Sequence, residues 1–325
     1  MEQQPEWRPD ILGEDFQALT LPLDKDPDGD GDIRAVLVRY QPNGESIEDR
    51  PALLWVHGMT DYFFQSHVAE YFHQQGYAFY SIDLRKCGRA RQDGELWHYV
   101  TDLEYYFPDL DAALEVISQH HPSMVPIAHS TAGIIVPMWL NQLSSDKVPA
   151  LVLDSPWLDL MNFSQFQISL VRPIINVLGQ IAPRVAIPGG GLKAFGESIH
   201  ADYHGEWNYD LHLKPLGGHR KYLGWLRAVL NGQHLVHTDN IDVGVPTLVL
   251  TSARSHLNQP YSAATDTADA VLDVQQTQHW APHLGKDVDV YTILGARHDV
   301  FLSLRPAREE AFAVSTKFLT HHVKN

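Results

Sequence analysis

The stretch Pro126-Ile127-Ala128-His129-Ser130-Thr131-Ala132-Gly133 decides how this chain reads. It closes an apolar run, 124–128, and opens an apolar helical pattern at Thr131, Ala132, Ile134, Ile135, Met138 and Trp139. A strand that breaks directly into a helix presents one side chain, here Ser130, at a sharp turn with nothing covering it. Small residues two before and two after the serine let the backbone pass close, which is the layout of a nucleophile elbow. The usual G-x-S-x-G glycines are alanines here, Ala128 and Ala132. The same short string also fits an ordinary serine at a helix N-cap, so the surroundings must decide.

Around this turn, short apolar runs alternate with longer amphipathic patterns. The runs fall at 53–56, 77–82, 124–128, 151–153, 247–250 and 288–293, and the helical patterns at 67–75, 110–120, from Thr131, 274–284 and 306–321. This rhythm predicts an α/β fold with a mostly parallel central sheet and helices on both faces. Two further strand-like runs, 16–23 and 33–40, open the chain. Their connector, Asp24-Lys25-Asp26-Pro27-Asp28-Gly29-Asp30-Gly31-Asp32, copies the opening of a calcium loop. Its last ligand position is Ala35 and strands flank it, so a polar hairpin tip is the better reading.

Residues 157–240 break the rhythm, with apolar positions such as Phe163, Phe166 and Leu170, then Gly189-Gly190-Gly191 and an aromatic cluster. They are expected to form a mostly helical cap inserted into a core built from 1–156 and 241–325. The three glycines would let such a cap move.

Composition narrows the function. The 325 residues are 44% hydrophobic and 10% aromatic, enough for a large core, and the net charge is −16. Half of that excess falls in the first fifty residues, which hold 13 acids and 5 bases. Such a charge argues against nucleic acid and anionic membrane surfaces as partners. The single cysteine, Cys87, excludes an intrachain disulfide and fits a reducing compartment. No signal peptide is read at Met1-Glu2-Gln3-Gln4-Pro5, and no apolar run is long enough to span a bilayer. A soluble, cytoplasmic protein without stable membrane insertion is expected. The histidine pairs His120-His121 and His321-His322 match no metal-ligand spacing, so neither a metal nor a cofactor is expected.

In an open parallel sheet, ligand sites form at the carboxyl ends of the strands. After 53–56 come His57-Gly58-Met59-Thr60-Asp61, after 77–82 come Asp83-Leu84-Arg85-Lys86-Cys87-Gly88-Arg89, and after 288–293 come Gly295-Ala296-Arg297-His298-Asp299. With Ser130, one sheet edge thus gathers a nucleophile, a base and a glycine-containing turn, the three parts acyl transfer needs. In these strings, and in their order, the chain resembles the α/β-hydrolases, and within them the monoacylglycerol lipase/serine aminopeptidase-like (lysophospholipase-type, hydrolase-4) group. The resemblance covers about 50–160 and 243–322.

It implies Ser130 as nucleophile, His298 as general base, and the N–H groups of Met59 and Thr131 as the oxyanion hole. His57 and His129 are read as structural. The acid is less plain, because Ser252-Ala253-Arg254-Ser255 follows the strand where the group places its aspartate. Asp269 in Asp269-Ala270-Val271-Leu272-Asp273-Val274 resembles the group's acid turn, with Asp273 as the next helix's N-cap. Asp154, Asp273 and Asp266 remain alternatives. The expected activity is hydrolysis of a small-molecule carboxylic ester with an apolar acyl group: a monoacylglycerol, a lysophospholipid or a small acyl or aryl ester. Two rivals stand beside it. One is a peptidase or amidase using cap carboxylates such as Glu197, Asp202 and Glu206 to hold an amine, and the other is a non-catalytic binding protein on a hydrolase fold. Cys87 is read as a buried small residue. Trp157, Tyr203, Trp207 and Tyr209 are read as cap core or pocket wall, and the oligomeric state is left open.

Overall fold

A computed structural model describes residues 6–323 apart from 144, 162, 164 and 189–191, and apart from the side chain of Gln165. The Gly189–191 hinge reading falls outside the described residues. The strands are β1 (Arg8–Asp10), β2 (Gly13–Lys25), β3 (Asp32–Tyr40), β4 (Ala52–Val56), β5 (Ala78–Asp83), β6 (Met124–His129) and β7 (Leu151–Asp154), then β8 (Ala186–Ile187), β9 (Lys221–Tyr222), β10 (Thr247–Ser252) and β11 (Val288–Ile293). The α-helices are α1 (Ser66–Gln74), α2 (Phe107–Ser118), α3 (Ala132–Gln142), α4 (Gln165–Ile181), α5 (Lys193–Ile199), α6 (Leu223–His237), α7 (Val274–Trp280) and α8 (Arg305–His322).

One nine-stranded open sheet runs in the order β1-β2-β3-β5-β4-β6-β7-β10-β11. The pairings from β5 through β4 and β6 to β11 are parallel, while β1, β2 and β3 join antiparallel. The apolar runs become strands because sheet geometry lets them be covered twice. Every residue of β4, β5, β6, β7 and β10 is buried. With successive side chains on opposite faces, Leu54 and Val56 of β4 enter one core with α2, α3 and α6, while Leu53 and Trp55 enter the other with α1 and α8. From β4 the chain moves first to β5 on one side and then to β6 on the other. The β4 and β6 carboxyl ends therefore flank a topological switch point, where open α/β sheets place their ligands.

The segment 157–240 carries α4, α5, α6 and the small antiparallel pair β8–β9. Helix α4 turns Phe166, Leu170, Ile174, Val177 and Ile181 outward, all exposed.

The acidic segment forms the tip of the antiparallel β2–β3 hairpin, as expected, but part of it is buried. Asp26 and Asp30 fold inward onto Lys86 Nζ at 2.7 and 2.9 Å, and Asp28 accepts from Thr101 N and Oγ1 at 2.9 and 2.6 Å. A lysine ammonium from the loop after β5 thus stands among the carboxylates that the sequence spacing associates with a calcium ion. Removing one partner of a buried pair strands the other's charge. Lys86→Met is therefore expected to cost about 3–5 kcal/mol, read as a lowered midpoint in urea unfolding.

Candidate active site

Ser130 sits between β6 and α3 with φ +55°, a left-handed conformation that a non-glycine residue adopts only under constraint. The constraint is visible. Ser130 N–H donates to the Asp154 carbonyl at 2.9 Å, and its own carbonyl accepts from Gly133 N and Trp157 N at 2.9 and 3.0 Å. Two glycines make room for this turn. A Cβ on Gly133 would lie 2.4 Å from Pro156 Cβ, and one on Gly58 would lie 2.9 Å from Ser130 Cβ. Close approach thus falls on Gly133, one residue beyond the alanine at the usual glycine position.

Three of the sequence-derived residues meet in one hydrogen-bonded row. His298 Nε2 lies 3.0 Å from Ser130 Oγ, and His298 Nδ1 lies 3.0 Å from Asp269 Oδ2. The other carboxylate oxygen, Oδ1, accepts from Val271 N and Leu272 N, both at 2.7 Å, which fixes the Asp269 rotamer. The serine, the imidazole and the carboxylate are all buried. Among the described residues, neither Met59 N–H nor Thr131 N–H is spent on a protein acceptor, and both residues flank Ser130.

The other candidate acids have different partners. Asp273 caps α7 through Gln275 N at 3.0 Å, and Asp266 pairs with Arg297 at 2.7 Å. Asp154 lies beneath the site, its Oδ1 accepting from Val300 N at 3.2 Å and its Oδ2 3.3 Å from His129 Nδ1 without hydrogen-bond alignment. Asp299 joins it there, held by Gln65 Nε2 at 2.9 Å and by two backbone N–H groups. The carboxylates of Asp154 and Asp299 and the His129 ring offer donor atoms within 4.8 Å of one another, all buried. Burial pushes both carboxyls up to about 7, with Asp154 adding to the rise at Asp299. Both shifts favour the protonated, neutral form of these neighbouring carboxyls.

Electrostatics around His298 favour its charged form. Burial works against the imidazolium, but the charge and hydrogen bond of Asp269, with Asp154 and Asp299 behind it, more than offset that and raise its pKa. His129 is pushed the opposite way, down to about 4, by burial, and it stacks on Trp55. His57 Nε2 accepts from Leu84 N at 3.0 Å, so its proton is on Nδ1, which donates to the Gly58 carbonyl at 2.6 Å. His57 thus holds backbone groups through both ring nitrogens, whereas His129 packs against Trp55 and its Nδ1 has no hydrogen-bond partner among the described residues. Cys87 is buried, and burial followed by nearby carboxylates pushes its thiol well above the ordinary range, so it stays protonated.

Two clefts open at Ser130. A small one of about 40 Å³ includes His298, Phe195 and Tyr209, together with a buried Lys214–Asp61 ion pair at 2.6 Å. A larger one of about 480 Å³ runs between β-strand ends and α4–α6 and is walled by apolar side chains such as Trp157, Val171, Ile175 and Trp225. Of the four aromatics singled out in the sequence, Trp157 lines the large cavity and Tyr209 the small one. Trp207 stacks on His67, and Tyr203 is exposed. Lys214 was missed from sequence because no motif marks it, and the Asp154–Asp299 pairing was missed because it joins residues from two separate strings. Asp61, inside His57-Gly58-Met59-Thr60-Asp61, and Asp299, inside Gly295-Ala296-Arg297-His298-Asp299, lay in strings already singled out.

An open, mostly parallel sheet with a serine on its sharpest strand–helix turn defines an α/β-hydrolase. The chain belongs to the hydrolase-4 family, described as serine aminopeptidase, S33, whose model matches residues 47–304, and it is therefore an enzyme of the hydrolase class. Solved structures of the same fold include a soluble variant of the Saccharomyces cerevisiae monoglyceride lipase bound to a substrate analogue. That structure has 16% identity, covers 94% of this chain and 97% of that one, and has a TM-score of 0.67. The Paleococcus ferrophilus monoacylglycerol lipase has 18% identity, 85% and 97% coverage, and a TM-score of 0.60. A Pyrococcus furiosus esterase has 14% identity, 99% and 96% coverage, and a TM-score of 0.55. No curated protein sequence matches the chain. Among the described residues, no helix is long and apolar enough to cross a membrane.

Proposed function

We propose that the protein is a serine esterase cleaving a carboxylic ester whose acyl part is apolar, with Ser130, His298 and Asp269 as the catalytic triad. The observation that carries the reading is the continuous row Ser130 Oγ–His298 Nε2 and His298 Nδ1–Asp269 Oδ2, each contact 3.0 Å, facing two unspent N–H donors. Ser130 Oγ attacks the ester carbonyl while His298 Nε2 takes its proton. Asp269 holds the Nδ1–H tautomer and stabilises the imidazolium. Met59 N–H and Thr131 N–H receive the oxyanion. His298 then protonates the departing alkoxide, and water clears the acyl group by the reverse steps.

The clefts divide the substrate. His298 lines the small cleft and is absent from the wall of the large one, so the leaving alcohol belongs on the small side and the acyl group in the large apolar cavity. The size of that cavity is that of a small-molecule pocket. Residues 157–240 act as the cap that walls it. The solved lipase and esterase structures of this fold support an ester substrate. An aminopeptidase needs a free carboxylate for the substrate amine, but Glu197 pairs with Lys193, Glu206 pairs with Arg308, and Asp202 is exposed. None of the three lines either cleft.

Methyl and ethyl esters of increasing acyl length, followed by pH-stat, test the reading. Turnover with a chain-length optimum is expected, and a folded protein that hydrolyses none of them overturns it. The pH profile follows from His298. The base acts only when neutral, and its pKa lies above the ordinary 6.5. Activity should therefore fall as pH drops, with the acid limb of kcat/KM centred above 6.5 rather than below it.

A further inference from the structure

The large cavity carries one charged side chain among the described residues of its wall, Lys221. Lys221 lies in β9 opposite Ile187, which lines the same cavity. Lys221 is half-buried, and the two buried lysines have carboxylate partners: Lys86 holds Asp26 and Asp30, and Lys214 holds Asp61. Among the described residues the Lys221 side chain has neither an ion pair nor a hydrogen bond. Burial lowers its pKa, with no carboxylate contributing an opposing effect. An ammonium held in an apolar wall without a counter-charge is costly for the free protein and attractive for an anion.

A second observation bears on the same wall. His98 packs edge-on against Trp225, a cavity residue, and both of its ring nitrogens are buried with no hydrogen-bond partner. Burial first, then the charges of His219 and Lys221, push it down to about 3, so the ring is neutral and carries one N–H. His98 stands behind Trp225 and does not line the cavity, so among the described residues of the wall the Lys221 ammonium is the one charged donor, with no carboxylate beside it.

We propose that Lys221 anchors a carboxylate carried on the apolar acyl arm, so that the preferred substrates are half-esters of aliphatic dicarboxylic acids. The assignment rests on the reading of Ser130 as nucleophile and of the large cavity as the acyl side. A single ammonium matches a monoanion, and the apolar wall between it and Ser130 matches the methylene chain. In the reaction the Ser130 Oγ–acyl bond forms as the ester C–O bond breaks, and the alcohol leaves with the proton from His298. Water then releases the acid and restores the serine. The net products are one dicarboxylate, one alcohol and one proton, with no redox partner required.

The test compares monomethyl esters of dicarboxylic acids of six to twelve carbons with methyl esters of monocarboxylic acids of equal length, in wild type, Lys221→Met and Lys221→Arg. Wild type is expected to prefer the half-ester at least tenfold in kcat/KM at its best length. Lys221→Met should lower that ratio at least tenfold, and Lys221→Arg should restore most of it, with circular dichroism verifying the fold of each variant. If wild type hydrolyses neutral esters at least as well at every length, and Lys221→Met leaves the ratio unmoved, the carboxylate subsite is wrong and the esterase reading stands. If neither series is hydrolysed, the esterase reading fails and calorimetric titration of the free acids judges the subsite separately. Suberate binding weakened at least tenfold by Lys221→Met, relative to octanoate, sustains the subsite, and equal binding refutes it.

Discussion

Replacing Ser130 by alanine should lower kcat for ester hydrolysis by on the order of 10⁶-fold while leaving the protein folded. In the proposed mechanism the size follows from removing the atom that forms the acyl-enzyme, and the residual rate would come from the oxyanion donors and substrate binding. The fold survives because the strain at this position belongs to the backbone. Ser130 already holds φ +55°, and alanine inherits that conformation with one Cβ and no new contact. The hydroxyl makes a single hydrogen bond, to His298, so the change in stability should stay within about 1 kcal/mol. Thermal unfolding checks this beside the kinetics. A large loss of stability would mean that the lost turnover reports misfolding rather than chemistry.

Asp269→Asn should reduce kcat by about 10⁴-fold, and the isosteric change at Asp154 by less than tenfold. In the first variant the amide can turn its NH₂ toward His298 Nδ1, because Oδ1 is already committed to Val271 N and Leu272 N. That places the imidazole proton on Nε2, facing Ser130, where it cannot act as a base. Asp154 has no hydrogen bond to His298, and burial holds its carboxyl at about 7. Asparagine there resembles the protonated form that the site already populates near neutral pH. Steady-state kinetics on both variants separate the two acids. A larger loss for Asp154→Asn would move the acid to β7.

What the sequence disclosed depended on how local each signal was. The elbow was legible because an apolar strand, a serine and an apolar helix are consecutive, and the central strands because runs buried on both faces need no partner to be recognised. β1 was missed: it is three polar or proline residues, Arg8–Asp10, with no alternation to read. The polar tip of the β2–β3 hairpin was legible, but its ion-pair partner Lys86 was not, because it comes from a different loop and no spacing rule links them. Lys214, Lys221 and the pairing of Asp299 with Asp154 were not legible for the same reason, since each gains its meaning from residues the fold brings beside it. The two alanines at the elbow also have a physical explanation. The turn needs close packing, and Gly58 and Gly133 provide it where their Cβ positions would meet Ser130 and Pro156.

The most direct measurement is to trap the acyl-enzyme. Wild-type protein is mixed with a p-nitrophenyl ester, quenched in acid within milliseconds, and examined by intact and peptide mass spectrometry. The expected result is one added acyl mass on the peptide containing Ser130, absent from Ser130→Ala. Turnover that persists in Ser130→Ala, or an acyl group mapped to any other residue, would contradict the assignment of Ser130 as the nucleophile.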